Sequence, residues 1–528
     1  MVANERDVRL RRDTGAALVW LRPVPDRVSK TPDRVGLLGV HGLECSFERS
    51  EVPMNVGYDR DTHARRMRLA LVCLGALVSG VAAWFLWRTT VPDIELVDVE
   101  ATDVLSSVVL AEGDDYRGGT RTFWAGSTAL QIVVLGLLAW RARWISGHLG
   151  RLVRGRVRAA AVFGLLAAAT VWVASVPVGI ARHGWRRRFD LTDQSYGGWL
   201  VDSAVNLLVT ALLVALGVSV VVALAARFGS SWWLIGGVAI AACGFVFVFL
   251  HPVVVQPLLN DFTPLNNAQL EADVREIAEA VGVGVGGVEV RDQSRRTRSA
   301  NARVTGLGHS RRVVIDDTLI GADAFERADI RFVVAHELAH VARSHVWKGV
   351  AWFALIVIPA AGLLALLLER ARPGGASDPA LVPLGLLVAL LIFLATSPLQ
   401  NAVSRRYEAE ADWVALKATS DPEALERFMK GLVVTNIGDP TRPGWVTHLL
   451  GTHPSALERI GMARACVVGY SSSTYSSSEA CSGRLRMPSR VCHFDQQSPI
   501  ASMSSLMNRG ETLTRVTTTP GTSPSSTS

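Results

Sequence analysis

Residues 203–226 carry no charge at all, running through Leu207-Leu208-Val209 to Val220-Val221-Val222. A bilayer core is crossed by about 20 apolar residues. Within it every backbone polar group must be paired inside the chain, so such a run folds as a helix. Similar stretches lie at about 69–87, 123–140, 159–181, 232–255, 349–369 and 380–400. The stretch at 123–140 is the weakest, because Trp124 and Gln131 interrupt it. Mean hydropathy of +0.28 agrees with a membrane protein that carries polar segments. The expected fold is therefore mainly α, a polytopic membrane protein of about seven transmembrane helices. Residues 1–64 are charged and lack the apolar core of a signal peptide, so the span at 69–87 reads as an uncleaved anchor.

Charge and cysteine usage narrow the function. The net charge of +7 rests on arginine, with lysine only at positions 30, 348, 417 and 430, a bias of high-GC bacterial genomes. The arginine clusters flank apolar segments, where membrane topology accounts for them, and nucleic acid is not an expected partner. The six cysteines include no CxxC pair, so neither a disulfide scaffold nor a thiolate metal site is indicated.

Between the spans lie the polar segments 256–348 and 401–464, and the first reads as α+β. Leu270, Val274, Ile277 and Val281 form one apolar helical face, with Gly286-Gly287 as its break. Val288-Glu289-Val290 and Arg311-Arg312-Val313-Val314-Ile315 alternate as strands, the second ended by Asp316-Asp317. A helix is expected from an Asp323 N-cap through Arg343. It holds His336-Glu337-Leu338-Ala339-His340, an HExxH motif. Helical spacing stacks His336 over His340, so both imidazoles can close on one zinc ion with Glu337 beside the bound water.

Such a site needs a third protein ligand. His345 does not fit the extended motif HExxHxxGxxH, which requires glycine at 343 and histidine at 346, where this chain has Arg343 and Val346. Glu408 and Glu410 lie in Ser404-Arg405-Arg406-Tyr407-Glu408-Ala409-Glu410-Ala411-Asp412. Glu408 and Asp412 share a helix face, and Glu410 points elsewhere. A liganding glutamate with an aspartate one turn on suits zinc, since the aspartate can fix the tautomer of a liganding histidine. Two spans separate HExxH from Glu408, so both segments return to one side of the membrane.

These residues bring the chain to a known family. Residues 160–464 resemble the membrane zinc metalloproteases of the CAAX prenyl protease 1 group within the M48 peptidases. The resemblance rests on Pro257 through Leu265, Ser299-Ala300-Asn301-Ala302 with Gly306 and Gly308, Asp317-Thr318-Leu319, the HELAH motif, Ser404 to Asp412, and Thr452-His453-Pro454-Ser455. It implies a gluzincin-type catalytic domain with one zinc ion per chain, held by His336, His340 and Glu408. It implies Glu337 as general base, Asp412 behind the ligands, and His453, assisted by Arg459, at the oxyanion. Asn301 and Ala302 would lie on an edge strand that pairs with substrate backbone. Expected partners are a peptide or membrane-protein substrate and the lipid bilayer.

The resulting organisation is a polar extension (1–64), a five-span membrane half (65–255), a catalytic insert (256–348), two spans (349–400), a second catalytic segment (401–464) and a disordered tail (465–528). The tail is serine- and threonine-rich, and nothing in it matches the family. The resemblance places the catalytic segments on the cytoplasmic side of a bacterial membrane. The arginine-rich 141–158 loop argues the other way, because positive loops favour the cytoplasm and counting spans from it puts HExxH outside. An HtpX-like quality-control protease is the alternative enzyme. A transporter or scaffold with a degenerate site is disfavoured, because intramembrane polar residues are few.

Overall fold

The computed structural model describes residue 75 and residues 77–471, apart from 307, 373 and 374. The expected extension 1–64 and residues 472–528 lie outside the described residues.

A short apolar helix, α1 (Leu77–Trp87), occupies the described part of the first expected span. An extended stretch and the single turn α2 (Ala101–Val104) follow. Then come four long helices: α3 (Ser107–Leu152), α4 (Arg156–Arg188), α5 (Tyr196–Phe228) and α6 (Trp232–Leu250). A π-helical turn, His251–Val255, leads into α7 (Gln256–Leu259) and the catalytic insert. After the insert, α11 (His345–Ala371) leaves and α12 (Val382–Thr419) returns. Among the described residues, six helices are long and apolar enough to cross a membrane. The weak stretch at 123–140 is the middle of α3, which has the lowest hydropathy of the six at 1.6. Helix α6 packs closely on α11 because Gly237 lacks a side chain: a Cβ there would stand 3.1 Å from the Ile358 Cα.

The insert holds strand β1 (Phe262–Pro264), helix α8 (Ala268–Ala280), β2 (Gly287–Arg291), β3 (Ala302–Thr305), β4 (Arg312–Asp316), the turn α9 (Asp317–Ile320) and α10 (Arg327–Ala342). The strands form one mixed sheet in the order β1-β2-β4-β3. β2 runs parallel to β4, and β3 runs antiparallel to it with Ala302 opposite Ile315. β3 is therefore an edge strand. Leu270, Val274 and Ile277 of α8 are buried with Val313 and Ile315 of β4 and with Phe332 and Val334 of α10. Burial of a side chain of this size contributes about 1.5–3 kcal/mol. Helices α13 (Pro422–Asn436), α14 (Gly444–Leu449) and α15 (Ala456–Ser471) complete this part.

Three expectations shift. Helix α8 ends at Ala280 rather than at Gly286-Gly287, because Gly282, with φ of +71°, closes it first. Helix α10 starts after Glu326, not Asp323, since Glu326 and Asp329 cap it reciprocally. The boundary at 465 falls inside α15, whose Cys466 is buried against the core while Val467 is exposed.

Residues 88–121 and 182–194 sit at the catalytic end of the long helices. Arg117 donates to the Gly438 carbonyl at 2.6 Å, and Arg298 of the insert bonds Asp193 at 2.7 Å. The Arg151–Arg158 turn is one helix length away, at the far end of α3 and α4. Helices α11 and α12 form one out-and-back pair, as two spans between the motif and Glu408 require.

Candidate metal centre and active site

Helix α10 carries His336 and His340 on one face, and their Nε2 atoms approach to 3.1 Å. Glu408 enters from α12, with Oε2 3.2 Å from His336 Nε2 and Oε1 3.6 Å from His340 Nε2. One donor atom from each of the three lies within 4.8 Å of the others, a grouping that could hold a metal ion.

The donor set fits a metal in three respects. Glu408 Oε2 is buried and makes no well-formed hydrogen bond, although His336 and His453 nitrogens stand 3.2 and 3.3 Å away. A buried carboxylate oxygen left so is costly unless a cation takes it up. Both histidines have their Nδ1 atoms engaged outward, on Asp412 at 2.8 Å and on His345 at 2.9 Å, so both Nε2 atoms face the centre. Burial also lowers the His340 pKa to about 3, which keeps that imidazole neutral and able to ligate. Burial acts the same way on His336, but the Asp412 and Glu408 carboxylates outweigh it and hold its pKa well above the usual value.

Asp412 is fully buried beneath His336 and also accepts a bidentate pair from Arg459 of α15, with Nε at 2.7 Å. Arg459 thus backs Asp412, and it also lines the cavity that His336, Glu337 and His453 line. His453 lies in the loop before α15 with its side chain about half exposed, its Nε2 3.3 Å from Glu408 and its Nδ1 against Thr452 Oγ1 at 2.8 Å. Ser455 caps α15: its hydroxyl accepts from the Glu458 amide at 3.1 Å.

Glu337 sits between two cavities. One, of about 600 Å³, is lined by Asn301, Arg303, Glu337, Thr452 and His453. The other, of about 420 Å³, faces the helices and is lined by Glu337, Val346, Trp352, Phe353, Ile356 and Tyr407. Burial raises the Glu337 carboxyl to about 7, against the nearby His336 and Arg303 charges and a hydrogen bond from the Val304 backbone. A carboxylate near neutrality can both take and return a proton. Asn301 directly precedes β3, where its carbonyl accepts from the Asp316 amide at 3.0 Å, and Ala302 opens the strand.

Sequence reasoning missed what Glu410 does. It faces away from the three donors, is fully buried, and accepts from His345 and Arg343 at 2.9 Å each. Thr90 adds two further bonds, from its amide and its hydroxyl, both at 2.8 Å. A second glutamate in a buried register of α12 was the only available signal.

Comparison with known proteins places the family and the fold. Residues 264–467 match the model of Peptidase family M48, and residues 120–261 match that of the CAAX prenyl protease N-terminal, five membrane helices. The chain is 30% identical over 280 residues to the Uncharacterized metalloprotease YhfN of Bacillus subtilis (strain 168), an alignment covering 52% of this chain and 65% of that protein. It is 31% identical over 209 residues to a Protease HtpX homolog of Burkholderia thailandensis, covering 35% of this chain and 70% of that one. The fold is similar to that of S. mikatae Ste24p, with a TM-score of 0.61 at 18% identity, covering 74% of this chain and 97% of that chain.

Proposed function

Because this chain belongs to peptidase family M48, as a multi-pass membrane protein, we propose that it is a zinc-dependent endopeptidase of the CAAX prenyl protease 1 type. The observation that carries this reading is the convergence of His336, His340 and Glu408 within 4.8 Å, with Glu337 on the same helix turn. Zinc, when bound, would activate a water and polarise the scissile carbonyl. Glu337 takes the proton of the attacking water and returns it to the leaving amine. His453, from its loop over Glu408, donates to the oxygen that gains negative charge. The free side of β3, reached through Asn301 and Ala302, pairs with substrate backbone as an added strand. Asp412 holds the His336 ring, and Arg459 holds Asp412.

The test is Glu337→Ala in the purified full chain. Peptide cleavage is expected to fall by about 10²–10⁴-fold while one zinc ion per chain stays bound. Cleavage at the wild-type rate would overturn the reading.

The match to a five-helix N-terminal model favours a CAAX-type cut near a substrate C-terminus, and the HtpX homolog favours cutting of misfolded membrane proteins. Proteomics of membranes holding active protein against Glu337→Ala separates the two: C-terminally trimmed proteins support the first, internal fragments the second.

The catalytic end is proposed to face the cytoplasm of a bacterial cell. The arginine-rich 141–158 segment, helical except at 153–155, is not decisive, because the catalytic end carries Arg182, Arg186, Arg187 and Arg188 at the close of α4. An impermeant thiol reagent on intact cells checks the side: Arg312→Cys, with native cysteines removed, is expected to stay unlabelled until the cells are opened.

A further inference from the structure

The two metal-facing histidines are backed differently. His336 rests directly on a carboxylate, whereas His340 rests on a second histidine. Helix α10 stops at Ala342, and Ser344 takes a left-handed conformation with φ of +56°. That reversal starts α11 at His345 and turns its ring back onto His340, Nδ1 to Nδ1 at 2.9 Å. His345 Nε2 lies 2.9 Å from Glu410 Oε2.

The direction of these bonds follows from the far end. A carboxylate already ringed by Thr90, Arg343 and the Lys348 ammonium at 3.6 Å only accepts, so His345 gives its Nε2–H to Glu410. Its Nδ1 then carries a lone pair and accepts the Nδ1–H of His340. The His340 Nε2 lone pair is left facing Glu408 and His336, where a metal ion would sit. The His345 ring is held in plane by Tyr407, stacked at 4.7 Å and 9°.

The outer end of this chain of bonds belongs to the N-terminal segment. Thr90 grips Glu410 Oε1 through its amide and hydroxyl, the Tyr407 hydroxyl donates to the Leu86 carbonyl at 2.6 Å, and Arg406 donates to the Trp87 carbonyl at 2.7 Å. Residues 86–90 precede both regions that match family models, 120–261 and 264–467. We propose that His345 and Glu410 are positioning residues that fix the tautomer and orientation of His340, and that Thr90 anchors this relay, tying metal affinity to the segment after α1.

The proposal rests on the zinc reading above, and the test separates the two. Zinc affinity of the purified full chain is measured by competition with a chelator, alongside thermal unfolding of the metal-free protein. His345→Phe keeps the ring on Tyr407 and removes both nitrogens; zinc is expected to bind about 10–100-fold more weakly, the usual effect of losing a partner behind a ligand. His345→Asn places an oxygen where Nδ1 stood, and is expected to recover most of that loss, which a merely structural role would not produce. Thr90→Val, at an exposed position, is expected to weaken zinc by roughly 2–5-fold, part of one hydrogen bond. A folded His345→Phe that binds zinc within about twofold of wild type overturns the relay. Should His345→Phe fail to fold, Thr90→Val decides, and unchanged affinity there overturns it. Wild-type protein that retains no zinc overturns the metal reading itself.

Discussion

The two flanks of the metal centre solve one problem with different depth. Beneath His336 the support is short and sealed: one aspartate, one arginine, both buried, with Arg459 supplied by the last helix. Beneath His340 it is long and partly open: a second histidine, then Glu410, then Arg343 and Thr90 at the surface. A buried carboxylate is tolerated only when its charge is paired and its lone pairs are filled. Asp412 meets that condition inside the catalytic core. Glu410 meets it by recruiting the α10–α11 turn and the segment after α1. The motif helix is therefore not self-sufficient: one candidate donor is backed by the catalytic part alone, the other by contacts that reach into the N-terminal membrane half.

The largest effect is expected at the centre of the site. Glu408→Ala is expected to remove most bound zinc, because two histidines alone leave the site without its anionic donor; metal analysis of purified protein checks it. A variant with a full zinc complement would end the three-donor assignment. On the sealed flank, Asp412→Ala is expected to weaken zinc by about 10–100-fold, as the His336 ring loses its acceptor. It also strands the Arg459 guanidinium, and removing one partner of a buried pair costs about 3–5 kcal/mol of stability. Denaturant unfolding of the metal-free protein reads that loss separately from affinity.

The acid limb of the pH profile sharpens the picture between the flanks. Glu337, raised to about 7 by burial, must be ionised to accept a proton. A zinc ion beside it pulls that value back down, so peptidase activity is expected to be retained at pH 7 and to fall about tenfold per pH unit once the pH drops below the lowered Glu337 value. A profile with no acid limb while the protein stays folded and zinc-loaded would assign the base elsewhere.

The smallest effects lie at the chain end. Cutting after Ser471 is expected to leave activity and membrane insertion unchanged. Cutting after Arg464 removes Cys466 from the core and is expected to cost roughly 1–2 kcal/mol, the burial of one small side chain. Equal stability of the two truncations would show that the last turns of α15 contribute nothing.

Much of this was legible in the chain itself, where local spacing carries the information. Uninterrupted apolar runs specify spanning helices, because lipid offers the backbone no partner. HExxH fixes two candidate donors on one helix face, and the four-residue step from Glu408 to Asp412 puts a third candidate donor and the aspartate behind His336 on another. The parity of two spans brings those helices to one side. Element ends were less legible: Glu326 displaced Asp323 as the cap because reciprocal side-chain bonds, not residue type alone, decide where a helix starts.

Only the tertiary structure decided the rest. His345 lies five residues after His340, and on an unbroken helix it would face away; the left-handed Ser344 turns it back. Thr90 and Glu410 are 320 residues apart, and no periodicity links them. Arg459 pairs with Asp412 across 47 residues because α15 packs against α12. Motif spacing determined which atoms could hold a metal, because it acts within one helix turn. What holds those atoms in place depends on buried charges finding partners wherever the fold brings them, and that is settled only when the whole chain has packed.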